Sequence, residues 1–144
     1  MRALAFAAFA ALASASADVP LDTVLIENAY FRQPVPGRSV AAAYCKLTNT
    51  TSVQLTLVSF ESPVAKSVEV HTTVRVGDMM RMQRLDGVTL PPHETVQLAP
   101  GGMHFMLFGI GPLDVDTYPF TLRFSDGSSV TVPFRVMSFG AQPQ

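Results

Sequence analysis

The chain has 144 residues, of which 48% are hydrophobic and 15% are charged, and its formal net charge is −1 at pH 7. This balance fits one compact globular domain and disfavours two other classes: disordered chains, which are poor in hydrophobic residues, and nucleic-acid binders, which are strongly basic. Eleven prolines, nine glycines and no tryptophan, together with many valines, threonines and phenylalanines, favour strands and turns over long helices.

The first segment has the pattern of an export signal. A positive residue, Arg2, precedes the apolar run Ala3–Leu12, which is too short to span a bilayer. The small residues of Ala15–Ala17 have the small-x-small form of a signal-peptidase site. We therefore predict a signal peptide at residues 1–17 and a single mature domain at residues 18–144. An uncleaved anchor is the less favoured alternative, because no second apolar segment follows and no cysteine stands at the cleavage point to accept a lipid.

Strand-like runs bounded by turn residues follow along the rest of the chain. There are ten of them: Val24–Phe31, Ser39–Thr48, Gln54–Ser59, Ser67–Val74, Met79–Arg84, Val88–Leu90, Thr95–Leu98, His104–Phe108, Tyr118–Phe124 and Ser129–Val136. Short strands at this spacing, without helical stretches between them, predict an all-β antiparallel sandwich or barrel. No repeat, low-complexity segment or internal domain boundary interrupts them.

The single cysteine, Cys45, lies in the second of these runs. One thiol cannot form an internal disulfide. Alternation places Ala41, Ala43 and Cys45 on one face of the predicted strand, and our interpretation of Cys45 is a small buried thiol. A reactive or metal-binding role for this residue stays open as the alternative.

The sequence contains two His-Met pairs, and in each pair the predicted strands can place both side chains on the same face. His104 and Met106 are two residues apart in the eighth run, so they share a face while Phe105 points the other way. His71 lies in the fourth run and Met82 in the fifth, after a turn. If the two halves of the domain pack together, one His-Met pair meets the other.

The chemistry of this ligand set favours copper. Thioether sulfur is a soft, neutral ligand that Zn²⁺, Mg²⁺ and Ca²⁺ use poorly, whereas two imidazoles with two thioethers suit Cu(I). Methionine sulfur also escapes the disulfide formation that a pair of thiolates in an exported protein would undergo. We therefore expect a Cu(I) site.

The other methionines and the third histidine receive structural interpretations. Three methionines are assigned to packing: Met79, Met103 and Met137. His93, in a turn, is assigned to the surface. Met80 shares the face of Met82, and a role for it beside the metal stays open.

No arrangement of residues typical of an enzyme is visible in the sequence. We find no Ser-His-acid set, no paired carboxylates in an obvious cleft and no glycine-rich phosphate loop, and we expect no catalysis. Two alternatives to a copper carrier are kept. One is a blue-copper electron carrier, which needs a cysteine thiolate beside two histidines. The other is a metal-free immunoglobulin-like binding module, in which the His-Met pattern is a coincidence.

The ligand spacing resembles that of a known family, the periplasmic copper chaperones of the PCu(A)C type, which serve the copper A centre of cytochrome c oxidase. Their motif is a histidine, ten residues, a methionine, twenty-one residues and then His-x-Met, and this chain has the same spacing. The matching residues are His71, Met82, His104 and Met106. The segments NAYFRQPVPGRSVAAAYCKLTN and MMRMQRLDGVTLPPHETVQLAPGGMHFMLFG are also similar to the family, and the resemblance covers Asn28 to Val136.

This resemblance implies a cupredoxin-like, immunoglobulin-like Greek-key antiparallel β-sandwich that binds Cu(I) through those four residues. It implies a carrier in the periplasm that passes copper to cytochrome c oxidase subunit 2 or to another copper chaperone. From the sequence itself we expect a monomer with no nucleic-acid partner and no stable membrane insertion after signal removal. The chain departs from the family at two points. Its end, MSFGAQPQ, lacks the His- and Met-rich tail of some members, and Tyr30 stands where many relatives have tryptophan.

Overall fold

The computed structural model describes residues 23–138, and the signal peptide predicted at residues 1–17 lies outside them. Ten strands form this part of the chain: β1 (Val24–Arg32), β2 (Val40–Asn49), β3 (Leu55–Glu61), β4 (Ser67–Val76), β5 (Met79–Leu85), β6 (Val88–Leu90), β7 (Thr95–Leu98), β8 (His104–Phe108), β9 (Thr117–Phe124) and β10 (Ser129–Met137). A search of the same residues for a long apolar helix that could cross a membrane finds none.

The predicted all-β class is confirmed, and each strand-like run of the sequence corresponds to one strand. The bounds differ by two residues at most. The tight β4–β5 hairpin shows why such differences arise. Val76 pairs with Met79 across the two-residue turn, and Gly77 adopts a φ of +60°, which two-residue hairpins require at this position. Cross-strand pairing therefore extends β4 to Val76, whereas the sequence pattern ends the predicted strand at Val74.

One hydrogen-bonded sheet contains all ten strands, in the order β5-β4-β8-β2-β1-β10-β9-β3-β6, with β7 paired to β2. Paired strands run antiparallel except β1 and β10, which are parallel. Strand β3, near one end of this order, contacts β4, near the other end. The sheet therefore folds over so that its two halves face each other, as the layers of a sandwich do.

Aromatic rings hold the two halves together. Phe105 of β8 packs against Phe60 of β3, with ring centroids 5.0 Å apart, and against Phe134 of β10 at 6.4 Å. Phe134 also stacks on Phe120 of β9 at 4.2 Å. Full burial of a ring of this size contributes about 1.5–3 kcal/mol, so these contacts fix which face of β8 points inward.

Strand β2 shows the predicted alternation. Ala41, Ala43 and Cys45 belong to the buried core, whereas Tyr44 lies on the opposite face, against Tyr30 of β1 with ring centroids 5.2 Å apart. Strand β5 continues this sheet but is exposed along its length except at Leu85, whereas β4, β8 and β2 have one face on the core and one face turned away from it. We call the second of these the outer face.

A buried asparagine ties together the loops at one end of the sandwich. The Asn49 side chain is 0% exposed. Its Nδ2 donates to the carbonyl oxygens of Val53 at 2.8 Å and Leu90 at 2.9 Å. Its Oδ1 accepts from the backbone nitrogen of Thr51 at 2.9 Å and from the hydroxyl of the same residue at 2.8 Å.

We expect Asn49→Ala to lower the free energy of unfolding by about 2–4 kcal/mol, because it removes four hydrogen bonds of a buried side chain, those to Val53 and Leu90 and the two from Thr51. Urea unfolding of the mature chain measures this change. Gln54→Ala, at an exposed position near the same loops, is the control and should change stability by less than about 0.5 kcal/mol. Equal effects of the two substitutions would contradict the structural role of Asn49.

Candidate metal centre

Two histidines face each other where β4 pairs with β8. The register sets His71 directly opposite His104. Their ring centroids are 6.1 Å apart and their planes are inclined by 30°. A metal ion bound at about 2.0 Å from one nitrogen of each ring fits between rings whose centres are about 6 Å apart. The fold thus places the two histidines at a separation that one metal ion can bridge.

His104 is held in one orientation on the outer face. It is only 5% exposed, and the Tyr44 ring of β2 lies beside it, with centroids 6.4 Å apart. Nδ1 of His104 lies 3.0 Å from the carbonyl oxygen of Gly102. Since a carbonyl oxygen only accepts, we assign the proton to Nδ1. Nε2 then has the lone pair that a metal ligand needs.

Glu69 orients His71 in a similar way. Nε2 of His71 donates to Oε2 of Glu69 at 2.8 Å, and Nη1 of Arg84 lies 3.8 Å from Oε1 of the same carboxylate. Nδ1 of His71 is buried and has no hydrogen-bond partner among residues 23–138. A buried nitrogen without a partner is unfavourable, and its lone pair is available to a metal ion.

The two methionines lie on either side of the histidine pair. Met106 is the cross-strand partner of Glu69, and Met82 is the partner of Thr73. Each is therefore one diagonal step from His71 on the outer face, a Cα–Cα separation of about 7–8 Å. Met106 is half-buried, whereas Met82 is 61% exposed. The four side chains share one patch, and Met82 is the most exposed of them.

The donor set limits which metal the patch can hold. Within the described part of the chain, no group of three or more His, Cys, Asp or Glu side chains is arranged to hold a metal ion. Hard ions such as Mg²⁺ and Ca²⁺ depend on oxygen ligands. An ion bound to the histidine pair would therefore take thioether sulfur as its further ligand, which suits Cu(I).

The groups that orient the histidines were missed by sequence reasoning. Glu69 carried a usable signal, because it lies two residues before His71 and so shares its face on a strand. The carbonyl of Gly102 and the ring of Tyr44 carried none. Their contacts with His104 depend on a loop conformation and on the pairing of β2 with β8, which are properties of the folded chain.

The β4–β5 hairpin corrects one packing assignment. Met79 is 62% exposed, so the expectation that it fills the core is wrong. Along β5 every residue but Leu85 is exposed, so this strand adds little to the core. Met80 is equally exposed and pairs with Arg75 on the face of Met82. Met103 does pack against the core.

Cys45 lies on the core face of β2, away from the histidines. It is 2% exposed, and burial raises the pKa of its thiol to about 12. The histidine pair occupies the outer face of the same sheet, so the thiolate-and-two-histidine arrangement of a blue-copper site does not form here. The interpretation of Cys45 as a buried structural thiol agrees with this position.

We expect the Cys45 thiol of the native mature chain to resist a disulfide-exchange reagent such as dithionitrobenzoate at pH 8. The thiolate is the reactive form, and with a pKa of about 12 only about one thiol in 10⁴ is ionised at that pH. The control is the same chain in urea, where labelling should be complete within minutes. Native labelling as fast as that of the unfolded chain would contradict the burial.

Sequence comparison matches residues 24–136 to the family described as “LpqE-like: Putative lipoprotein LpqE-like”. A relative is “Putative lipoprotein Lxx21020” from Leifsonia xyli subsp. xyli (strain CTCB07). It is 36% identical over 131 residues, and the match covers 87% of this chain and 78% of that protein.

Several solved structures share the fold. The apo PCuAC domain of PmoF2 has a TM-score of 0.72 at 27% identity, covering 85% of this chain and 95% of that one. The copper-bound form of that domain has a TM-score of 0.69 at 27% identity, with coverage of 81% and 94%. CuI-DR1885 from Deinococcus radiodurans has a TM-score of 0.66 at 31% identity, with coverage of 86% and 84%. The likeness to PCuAC domains confirms the predicted fold class.

Proposed function

Because this chain belongs to the LpqE-like family and folds like PCuAC domains, we propose that it is a copper chaperone that binds one Cu(I) ion as cargo. The ligands are two imidazoles and two thioethers, from His71, Met82, His104 and Met106. Two of the similar solved domains are copper-bound, which supports this proposal. No catalysis is part of it.

The observation that carries the proposal is the histidine pair. The rings stand 6.1 Å apart, and each has one nitrogen engaged by an acceptor, Glu69 for His71 and the Gly102 carbonyl for His104. The remaining nitrogen of each ring has a lone pair. Such outer hydrogen bonds fix ring orientation in metal sites, so the histidines need little reorganisation to bind copper.

The methionines add soft thioether ligands, and the exposed one provides a position at which a ligand of another protein can replace it. Met106 lies beside the pair and is half-buried. Met82, which is 61% exposed, has to swing toward the histidines to reach the ion, and a long, flexible thioether side chain can do so. An exposed ligand can also be displaced by a ligand of an acceptor protein, so that copper passes from one protein to the next by stepwise exchange.

The proposed location is the cell envelope, in the periplasm, after export by the signal peptide predicted at residues 1–17. The lipoprotein names of the matched family and relative support an envelope-associated protein. Cys45 is buried in β2 and does not serve as a lipid attachment point. The proposed acceptor is cytochrome c oxidase subunit 2 or another copper chaperone, served by a monomeric domain at residues 18–144.

We expect the mature chain to bind one equivalent of Cu(I), and the double substitution Met82→Leu with Met106→Leu to weaken binding at least 100-fold, because leucine keeps the volume but removes the sulfur. Competition with a chromophoric Cu(I) chelator measures the affinity. The control is Met79→Leu, since Met79 is as exposed as Met82 but lies on the other face of β5. Unchanged affinity in the double variant would refute the ligand set.

X-ray absorption of the Cu(I)-loaded chain identifies the ligand atoms directly. The expected spectrum contains both nitrogen and sulfur neighbours, and the sulfur contribution should fall in Met106→Leu. A spectrum with nitrogen neighbours alone would contradict thioether ligation. An intense blue Cu(II) form would instead indicate a thiolate site.

Glu69 is proposed as a positioning residue for His71, and this role leads to a separate prediction. Glu69→Gln should weaken Cu(I) binding by about 10–100-fold, since the charged acceptor that orients His71 is lost, while the ligand atoms seen by X-ray absorption stay the same. Glu61→Gln is the matched control, because Glu61 also pairs with an arginine, Arg123 at 3.1 Å, but is on β3. An equal effect of the two substitutions would contradict the positioning role.

A further inference from the structure

Each histidine of the candidate metal centre has a further aromatic ring beside it. The Tyr44 ring lies 6.4 Å from that of His104, and the Phe108 ring lies 6.3 Å from that of His71. The two histidine rings are themselves 6.1 Å apart. All three distances join ring centroids. The four rings therefore follow one another at nearly equal steps, with the proposed nitrogen ligands in the middle.

Phe108 belongs to the metal centre and not to the core. It lies two residues after Met106 on β8, so both side chains are on the outer face. Its backbone is held on both sides, by pairing with Ser67 of β4 and with Val40 of β2. Among residues 23–138, it is the one phenylalanine that is neither part of the core nor packed against it. It is nevertheless half-buried, and the contact with His71 accounts for part of that burial.

The surroundings of the histidine pair have little contact with solvent. His104 and Tyr44 are at most 9% exposed. The His71 side chain is 16% exposed, and its Nδ1 is buried. Met106, on the same face, is half-buried. An ion bound to the two imidazoles would therefore lie beside carbon-rich side chains on the His71 and the His104 side.

Such surroundings discriminate between the two charge states of copper. The cost of moving an ion from water into a low-dielectric site increases with the square of its charge, so it is about four times larger for Cu(II) than for Cu(I). Cu(II) also prefers a tetragonal set of nitrogen and oxygen ligands, to which water contributes where it has access. The Glu69 carboxylate beside His71 favours the higher charge, and Arg84 offsets part of that effect. An apolar ring next to His71 acts in the opposite direction and favours Cu(I).

We propose that Phe108 determines the oxidation-state selectivity of the metal centre, an inference that rests on the proposed function. Its ring keeps water away from the ion on the side of His71, as the Tyr44 ring does on the side of His104. The preference for Cu(I) over Cu(II) rises as a result, and so does the reduction potential of the bound copper. Solvent access and the local dielectric control the potential of metal sites in general.

The test measures the reduction potential of the mature chain loaded with one equivalent of copper, by voltammetry, and its Cu(I) affinity, by competition with a chromophoric chelator. We expect Phe108→Thr to lower the preference for Cu(I) at least 10-fold, which corresponds to a fall of about 59 mV in the potential. Threonine is favoured in strands but leaves the space of the ring open to water. Phe108→Ala is the second variant and should shift the potential in the same direction.

The Cu(I) affinity separates selectivity from a structural effect. In both variants it should stay within about threefold of the parent chain, because all four proposed ligands remain, so the shift in potential comes from tighter binding of Cu(II). A substitution that only disorders the centre would weaken the binding of both ions by similar factors. The Cu(I) affinity would then fall while the potential stayed constant.

Two control variants complete the design. Phe108→Leu keeps an apolar side chain beside His71 and should keep the preference for Cu(I) within about threefold of the parent chain. Val58→Thr makes an apolar side chain polar at a position on β3 that is 50% exposed, and it should leave the potential unchanged.

Two results would overturn the role of Phe108. One is an unchanged potential in Phe108→Thr and Phe108→Ala. The other is a loss of Cu(I) affinity that accounts for the whole shift in potential. If the parent chain binds Cu(I) and either result is found, the inference fails and the proposed function stands. If the parent chain binds no Cu(I), both fail.

Discussion

The candidate centre depends on the register between β4 and β8. Successive side chains on a strand point to opposite faces, so a slip of one residue would turn His104 toward the core and Phe105 toward solvent. Phe105 and Leu107 are at most 1% exposed, and exposing them would cost several kcal/mol. The core thus sets the position of two imidazoles that are not part of it, and it keeps His71 opposite His104.

The outer face combines a rigid part with an adaptable one. The histidines are oriented by Glu69 and by a loop carbonyl, and their rings lie against neighbouring side chains. Met82 lies on β5, which is at the end of the strand order, and its side chain reaches into solvent. In the proposed copper chaperone, the oriented nitrogen atoms would give specificity, and a thioether that can move would let an ion enter and leave.

The strands were predicted correctly from the sequence, whereas the burial of Met79 was predicted wrongly and the contact of Glu69 with His71 was missed. The strands were predictable because alternating side chains and turn residues act within a few positions of each other. The role of Met79 was wrong because local apolar character does not reveal whether an opposite layer covers a hairpin. Glu69 was within reach of the same alternation argument that paired His104 with Met106, since it stands two residues before His71.

The sequence alone determined the positions of the ten strands to within two residues and the faces of the side chains in β2 and β8, and it supplied the His-Met spacing from which the copper site is proposed. The tertiary structure decided that β8 lies between β4 and β2, which brings His71 and Tyr44 to either side of His104. Strand order and loop closure depend on contacts between residues far apart in the chain, and local periodicity contains no information about which distant strands will pair.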